Sequence, residues 1–303
     1  MKADRASATA RLIARSTIFT SQNALRKRFV PAQSAELCAL FVEAHSVTGK
    51  RVNAALQNSS TVRALVELAE RLLLPGIQLH YALRKRFIEE QTRAAISCGI
   101  RQIIVLGAGF DTLALRLHKE FPAVRFIEAD HPATQQAKLR MLETCHTPDS
   151  NLSFLSIDLA EQSLSQQLLS HKSYEPREDA LFIAEGLLMY LERSDVIELF
   201  SFIRDYSSAR SKFAFSFMDN DDDPERIRFR NSSRAVEAWL RLRGEDFKWS
   251  IGLNYLPQFL AAFSFNAREI ATCETFRHKY LAPENLSHLR LADGEHICLA
   301  ERA

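Results

Sequence analysis

The sequence predicts an α/β fold built on a mostly parallel sheet and preceded by a run of helices. Three observations carry this. From residue 101, short continuous apolar segments alternate with helix-like stretches, the pattern of a parallel sheet covered on both faces. Residues 1–98 show no such segments, only apolar residues three and four apart. The segment IIVLGAGFDT at 103–112 runs an apolar strand into Gly107 and Gly109 and then into a helical pattern, the arrangement of a ligand-binding strand–turn–helix.

The elements follow in order. SAELCALFVEAH (34–45) and TVRALVELAERLLL (61–74) read as helices, and Pro75 and Gly76 end the second. The stretch IQLHYALRKRFIEEQTRAAISCG is a long amphipathic helix ending at Gly99. Strands are expected at 102–107, 124–130, 152–158, 180–185 and 212–218. The intervening TLALRLHKEF, ATQQAKLRMLETC, EQSLSQQLLSH and RSDVIELFSFIRDY read as helices. Residues 219–250 break this rhythm: DNDDDPERIRFRN is charged, and a helical pattern follows around Trp239. This reads as a cap insertion over one end of the sheet. LPQFLAAFSF is a last helix, and FNAREIAT (265–272) and EHICLAER (295–302) close as an antiparallel edge pair. No low-complexity linker divides the chain, so residues 1–303 read as one domain, with a helical segment 1–98 and the cap 219–250.

Composition bounds the function. Hydrophobic residues are 47%, charged residues 25% and net charge +2, so bulk electrostatics point to neither nucleic acid nor membrane. The five cysteines, Cys38, Cys98, Cys145, Cys273 and Cys298, form no CxxC pair. Neither a zinc site nor a disulfide framework is expected, and scattered thiols suit a reducing cytoplasm. No apolar run reaches the length of about 18 residues that a membrane span needs. The N-terminus reads as a first helix and lacks the apolar core of a secretion signal.

Glycines after a strand let backbone approach a ligand, and the helix start beyond them offers unpaired N–H groups. The dinucleotide fingerprint has a third glycine where this chain has Thr112. Asp111 precedes it, and a carboxylate there would repel a pyrophosphate. A ligand with a cationic centre and no phosphate fits better, such as S-adenosylmethionine. Ligands of open parallel sheets bind beyond the carboxyl ends of the strands. Three such ends carry acids: Glu128 or Asp130 after the second strand, Asp158 after the third and Glu185 after the fourth. An acid in the second position suits a ribose diol. One in the third could read an adenine amino group.

LGAGFDT, FIEADHPATQQAKLRML and FIAEGLLMYL resemble the leucine carboxyl methyltransferase family, a branch of the class I S-adenosylmethionine-dependent methyltransferases that includes bacterial small-molecule O-methyltransferases. The similarity is good over about residues 80–218. It implies a Rossmann-like, seven-stranded sheet of order 3-2-1-4-5-7-6 with strand seven antiparallel. It also implies site roles. Arg84, with Arg86 as rival, would bind the cofactor carboxylate. Gly107 and Gly109 would line its methionine part, Asp130 would hold the ribose hydroxyls, Asp158 and Leu159 the adenine, and Glu185 would face the amino group. The hexapeptide ALRKRF occurs at 24–29 and 82–87. It is either a coincidence of two basic turns or a sign that both meet one anionic ligand; the second reading would bring the family's N-terminal lysine to Lys27.

The implied activity is methyl transfer to an oxygen, carboxyl or hydroxyl, of a small molecule. A carboxylate is ionised at pH 7 and needs no base, whereas a hydroxyl calls for a proton acceptor within reach. His131 and Tyr190 are the nearest candidates, although His131 also reads as a helix start before Pro132 and Tyr190 as packing under the cap. Asp219, Asp221, Asp222 and Asp223 read as a solvated loop, and no metal ligands are expected. The alternatives are a protein-terminus carboxyl methyltransferase, an NAD(P)-dependent oxidoreductase, and a catalytically idle cofactor-binding protein. The sequence does not specify the acceptor or the oligomeric state.

Overall fold

A computed structural model describes residues 7–44, 51, 54–56, 58–143, 151–158, 161–220 and 226–303. Its sheet consists of β1 (Gln102–Leu106), β2 (Arg125–Asp130), β3 (Leu152–Ser156), β4 (Ala180–Ala184), β5 (Lys212–Met218), β6 (Phe265–Ala271) and β7 (Glu295–Arg302). The order is β3-β2-β1-β4-β5-β7-β6. The first five strands pair in parallel, and β7 runs antiparallel to both β5 and β6. This is the topology that the family resemblance implied.

The helices are α1 (Ala8–Gln22), α2 (Ser34–Ala44), α3 (Ser60–Leu73), α4 (Ile77–Ser97), α5 (Leu113–Glu120), α6 (Pro132–Leu142), α7 (Leu164–Leu169), α8 (Arg193–Tyr206), α9 (Arg234–Arg243), α10 (Leu256–Ala262) and the one-turn α11 (Cys273–Phe276). Residues 277–284, which carry no strong periodicity, continue α11 as π and 3-10 turns. None of the described helices is long and apolar enough to cross a membrane.

Successive side chains of a strand point to opposite faces, and β1 shows what that does here. Ile103 and Val105 join a core with Leu83 and Phe87 of α4 and Leu117 of α5. Ile104 and Leu106 join the opposite core with Phe200 and Ile203 of α8 and Leu256 of α10. Both faces are covered, which is why the strands read as unbroken apolar runs. The second core centres on Phe200, whose ring lies 5.1 Å from Phe213, 5.3 Å from Phe215 and 5.0 Å from Phe259.

The region after β5 is tied to the rest by backbone. Lys248 and Trp249 donate to the Met189 carbonyl after β4, and Ile251 donates to the Met218 carbonyl that ends β5. The sheet's carboxyl edge thereby gains a roof. Asp219 departs from the solvated-loop reading. It is buried, paired with Arg230, and its Oδ2 lies 3.3 Å from His296 Nε2. It ends a strand that is covered on both faces, so its carboxylate turns inward to partners on β7 and the cap. Asp221, Asp222 and Asp223 lie outside the described residues.

Candidate active site

A cavity of 240 Å³ opens beyond the carboxyl ends of β1, β2 and β4, walled by α1 and roofed by residues 244–248. At its floor the chain leaves β1 through Gly107 at φ +62°. That left-handed backbone suits glycine, and a Cβ there would come within 2.8 Å of Leu187 Cδ1. After β4, Gly186 has φ +63°, and its missing Cβ leaves room for the Arg84 guanidinium. Both glycines let backbone approach the cavity closely.

Arg84, Gly107, Gly109, Asp130, Asp158 and Glu185 all line this cavity. Leu159 lies outside the described residues. Asp130 Oδ2 accepts the Gly109 N–H and its other oxygen accepts the His131 N–H. Burial still outweighs these bonds and pushes the Asp130 carboxyl above its ordinary range. Glu128, the other acid at the end of the second strand's sequence, does not line the cavity; it is buried and pairs with Lys138. The two acids lie two residues apart on one face of the strand; Asp130 ends β2, where the cavity opens, and Glu128 lies further inside the strand.

The basic helix α4 resolves its two arginines by phase. His80 and Arg84, four residues apart, share the buried face and both reach Glu295 at the start of β7, at 2.8 and 2.6 Å. Arg84 also holds Glu185 through Nε at 3.0 Å. Arg86 points elsewhere and pairs with Glu90 at 3.1 Å. Burial raises the Glu295 carboxyl, but Arg84 and His80 more than offset it, and the carboxyl is held down at about 2.

Lys85 completes the cluster. It pairs with Asp111 and lies 3.1 Å from Glu185. Burial draws its ammonium down, yet the two carboxylates leave it above the usual lysine range. Burial likewise raises Asp111, and Lys85 then pulls it down to about 2. Asp111 is therefore an ionised acid already matched by a cation, so the repulsion of a pyrophosphate expected from sequence is weaker than a bare carboxylate would give.

The hexapeptide repeat does not converge on one ligand. Lys27 is exposed, on a 3-10 turn away from the cavity, with Arg26 on Glu70 and Arg28 on Glu284. Lys85, from the second copy, is the lysine that the fold brings to the site.

The two candidates for proton transfer are both engaged. His131 caps α6, accepting the Ala133 N–H at Nδ1, while Nε2 lies 3.2 Å from Asp158. With Nδ1 accepting, the ring proton sits on Nε2 and points to that carboxylate. Tyr190 lines the cavity beneath the cap, its ring 5.4 Å from Phe247. Burial raises the phenol further above its ordinary range, which disfavours the phenolate that a base requires. Burial also raises Cys38 to about 11, so this cavity-lining thiol stays protonated. No group of acids, histidines and cysteines able to hold a metal occurs among the described residues.

Residues 2–204 match the leucine carboxyl methyltransferase family. This chain belongs to that family. The match ends before β5, so the cap, β6 and the Glu295 strand lie beyond it. A Mycobacterium tuberculosis protein, provisionally named an S-adenosyl-L-methionine-dependent methyltransferase, is 29% identical over 227 residues, 71% of this chain and 63% of its own. The alignment thus spans under two thirds of that relative. A Mycolicibacterium smegmatis protein with the same provisional name is 30% identical over 216 residues, covering 69% of this chain and 70% of that one. Among solved structures, a provisionally named methyltransferase from Thermobifida fusca shares the fold with a TM-score of 0.56 at 16% identity, covering 87% of this chain and 93% of that one. The seven-stranded sheet is accordingly the Rossmann-like class I methyltransferase fold.

Three residues of this family member's site escaped the sequence reading. Lys85 stood in plain view inside ALRKRF, beside the arginine that drew attention. Glu295 and Glu245 carry no local signal at all. Glu245 is buried in the cap and accepts the Ala8 and Thr9 N–H groups at 2.8 and 2.9 Å, together with the Thr9 hydroxyl. It binds the start of α1, where unpaired N–H groups favour an anion, and so fastens the cavity's wall to its roof.

Proposed function

We propose that this protein is an S-adenosylmethionine-dependent methyltransferase that moves a methyl group to an oxygen of a small molecule. The observation that carries the reading is one cavity, at the carboxyl edge of this sheet, flanked by Asp130, Asp158, Glu185, Arg84 and Lys85. Those charges suit a ligand that is an adenosine at one end and a zwitterionic amino acid at the other.

Asp130, already desolvated, would accept the ribose hydroxyls, and Asp158 would meet the adenine edge. Arg84 and Lys85 would take the carboxylate, with Glu185 between them facing the ammonium. When bound, the cofactor supplies an electrophilic methyl on a sulfonium. The chain's part is then alignment and exclusion of water. Apolar residues of α1, Ile13 and Ala14 among them, wall the cavity, and the Glu245 clasp keeps that wall in place. Neither Tyr190 nor His131 is built as a base, which favours an acceptor that arrives ionised, a carboxylate over a hydroxyl.

The test is a screen of carboxylic acids, each paired with its primary amide and matching alcohol, reading release of S-adenosylhomocysteine. Turnover of acids and not of their amides or alcohols is expected. Methylation confined to nitrogen or carbon acceptors would overturn the assignment to oxygen.

A further inference from the structure

A second cavity, of 490 Å³, lies inside the cap between residues 226–232, α9 and Asp246–Phe247. Ile227, Phe229, Val236, Leu240 and Phe247 give it apolar walls. Three guanidiniums, of Arg226, Arg228 and Arg241, also line it, against the carboxylates of Glu237 and Asp246. Glu237 spends both oxygens on Arg226, at 2.7 Å each. Arg228 and Arg241 reach the same carboxylate only at 4.0 Å, and no other side-chain partner of theirs is found among the described residues. One carboxylate at that range leaves their charge and their planar N–H forks unmatched, and such forks bind oxyanions in two-pronged fashion.

The cleft adjoins the first cavity. Asp246 lines both, and the Tyr190–Phe247 ring pair stands at their boundary. A molecule whose reacting oxygen lies under Tyr190 could therefore extend an apolar body past Phe247 toward the arginines.

We propose that this cleft is a specificity subsite for a second oxyanion, a carboxylate, sulfate or phosphate group, carried on an apolar part of the methyl acceptor. The assignment rests on the methyltransferase reading for the identity of the neighbouring cavity. Specificity then comes from Arg228 and Arg241, with Glu237 setting the strength of their field. Removing Glu237 should strengthen anion binding, and removing the arginines should weaken it.

The probe is inorganic phosphate, titrated by calorimetry at constant ionic strength into the full chain loaded with S-adenosylhomocysteine. Wild type should bind it saturably at millimolar concentration. R228Q/R241Q should bind about fivefold more weakly, as expected for two solvent-screened charge contacts, Arg228 being 32% exposed and Arg241 73%, and E237Q should bind more tightly. S-adenosylhomocysteine should bind equally to all three, with a Kd that phosphate leaves within twofold. No phosphate binding, or equal binding by wild type and R228Q/R241Q, overturns the anion site. A large change in S-adenosylhomocysteine affinity on adding phosphate would make the cleft a regulatory site for a free anion and overturn the acceptor assignment. If S-adenosylhomocysteine fails to bind, the methyltransferase reading falls with the acceptor role, while phosphate binding to the unloaded protein still decides whether the cleft takes anions.

Discussion

Replacing Glu295 by glutamine removes one charge from a deeply buried ionic cluster and changes the side chain's shape very little. Glu295 accepts two bonds from Arg84 Nη1, at 2.6 and 2.8 Å, and lies 2.8 Å from His80 Nε2. His80 can adapt to the amide because its Nδ1 has no hydrogen-bond partner among the described residues and its tautomer is free to change. Arg84 cannot adapt, since it stays charged and buried. The carboxyl's fall from 4.5 to about 2 sets the scale of what the folded state gains from the ionised form. At about 1.4 kcal/mol per tenfold change in proton affinity, that is about 3 kcal/mol at pH 7. A depressed carboxyl adds stability above its unfolded value and loses it as pH falls toward its folded one. The deficit of E295Q should therefore shrink to roughly half by about pH 3. Urea unfolding at several pH values reads this directly from the midpoints at constant slope. A loss below about 1 kcal/mol at pH 7, or one that acid leaves unchanged, would refute the account of the Arg84–Glu295 pair.

Other substitutions address the cavity itself. D130A should weaken S-adenosylhomocysteine binding by about 1.5–3 kcal/mol, roughly ten- to a hundredfold, through lost charge-assisted hydrogen bonds; calorimetry giving an unchanged affinity would remove Asp130 from the ribose position. Y190F should keep turnover within about threefold of wild type, and a loss of about a hundredfold would instead show that Tyr190 handles a proton. E245Q should cost about 1 kcal/mol of stability, since the start of α1 loses its buried anion. Amide hydrogen exchange at Ala8 and Thr9 should speed up in E245Q, and unchanged protection there would show that α1 is held by packing alone.

The sequence made the sheet legible where burial leaves no alternative. QIIVL and ALFIA sit at the sheet's centre between two helical layers, so every position must be apolar. The acids at the strand ends were legible for a related reason: a charge that closes such a run stands at the sheet's edge. Placing Arg84 rather than Arg86 at the cavity required the phase of the helix, and placing Asp130 rather than Glu128 there required the point at which the strand ends; the structure supplies both. Lys27 was misleading because a repeated hexapeptide says nothing of where each copy packs. Lys85 was passed over although it stands in the copy that reaches the cavity. Glu295 and Glu245 were illegible because their partners lie more than 200 residues away along the chain, and no local pattern encodes such a meeting. The turns at 273–284 escaped notice because a few residues of helix leave no period to read.

The most direct test of the central claim is calorimetric titration of the intact chain with S-adenosylmethionine, S-adenosylhomocysteine and NAD. The account predicts saturable one-to-one binding of the first two, weakened together roughly ten- to a hundredfold in D130A, and none of NAD. Binding of NAD without binding of S-adenosylmethionine would contradict it.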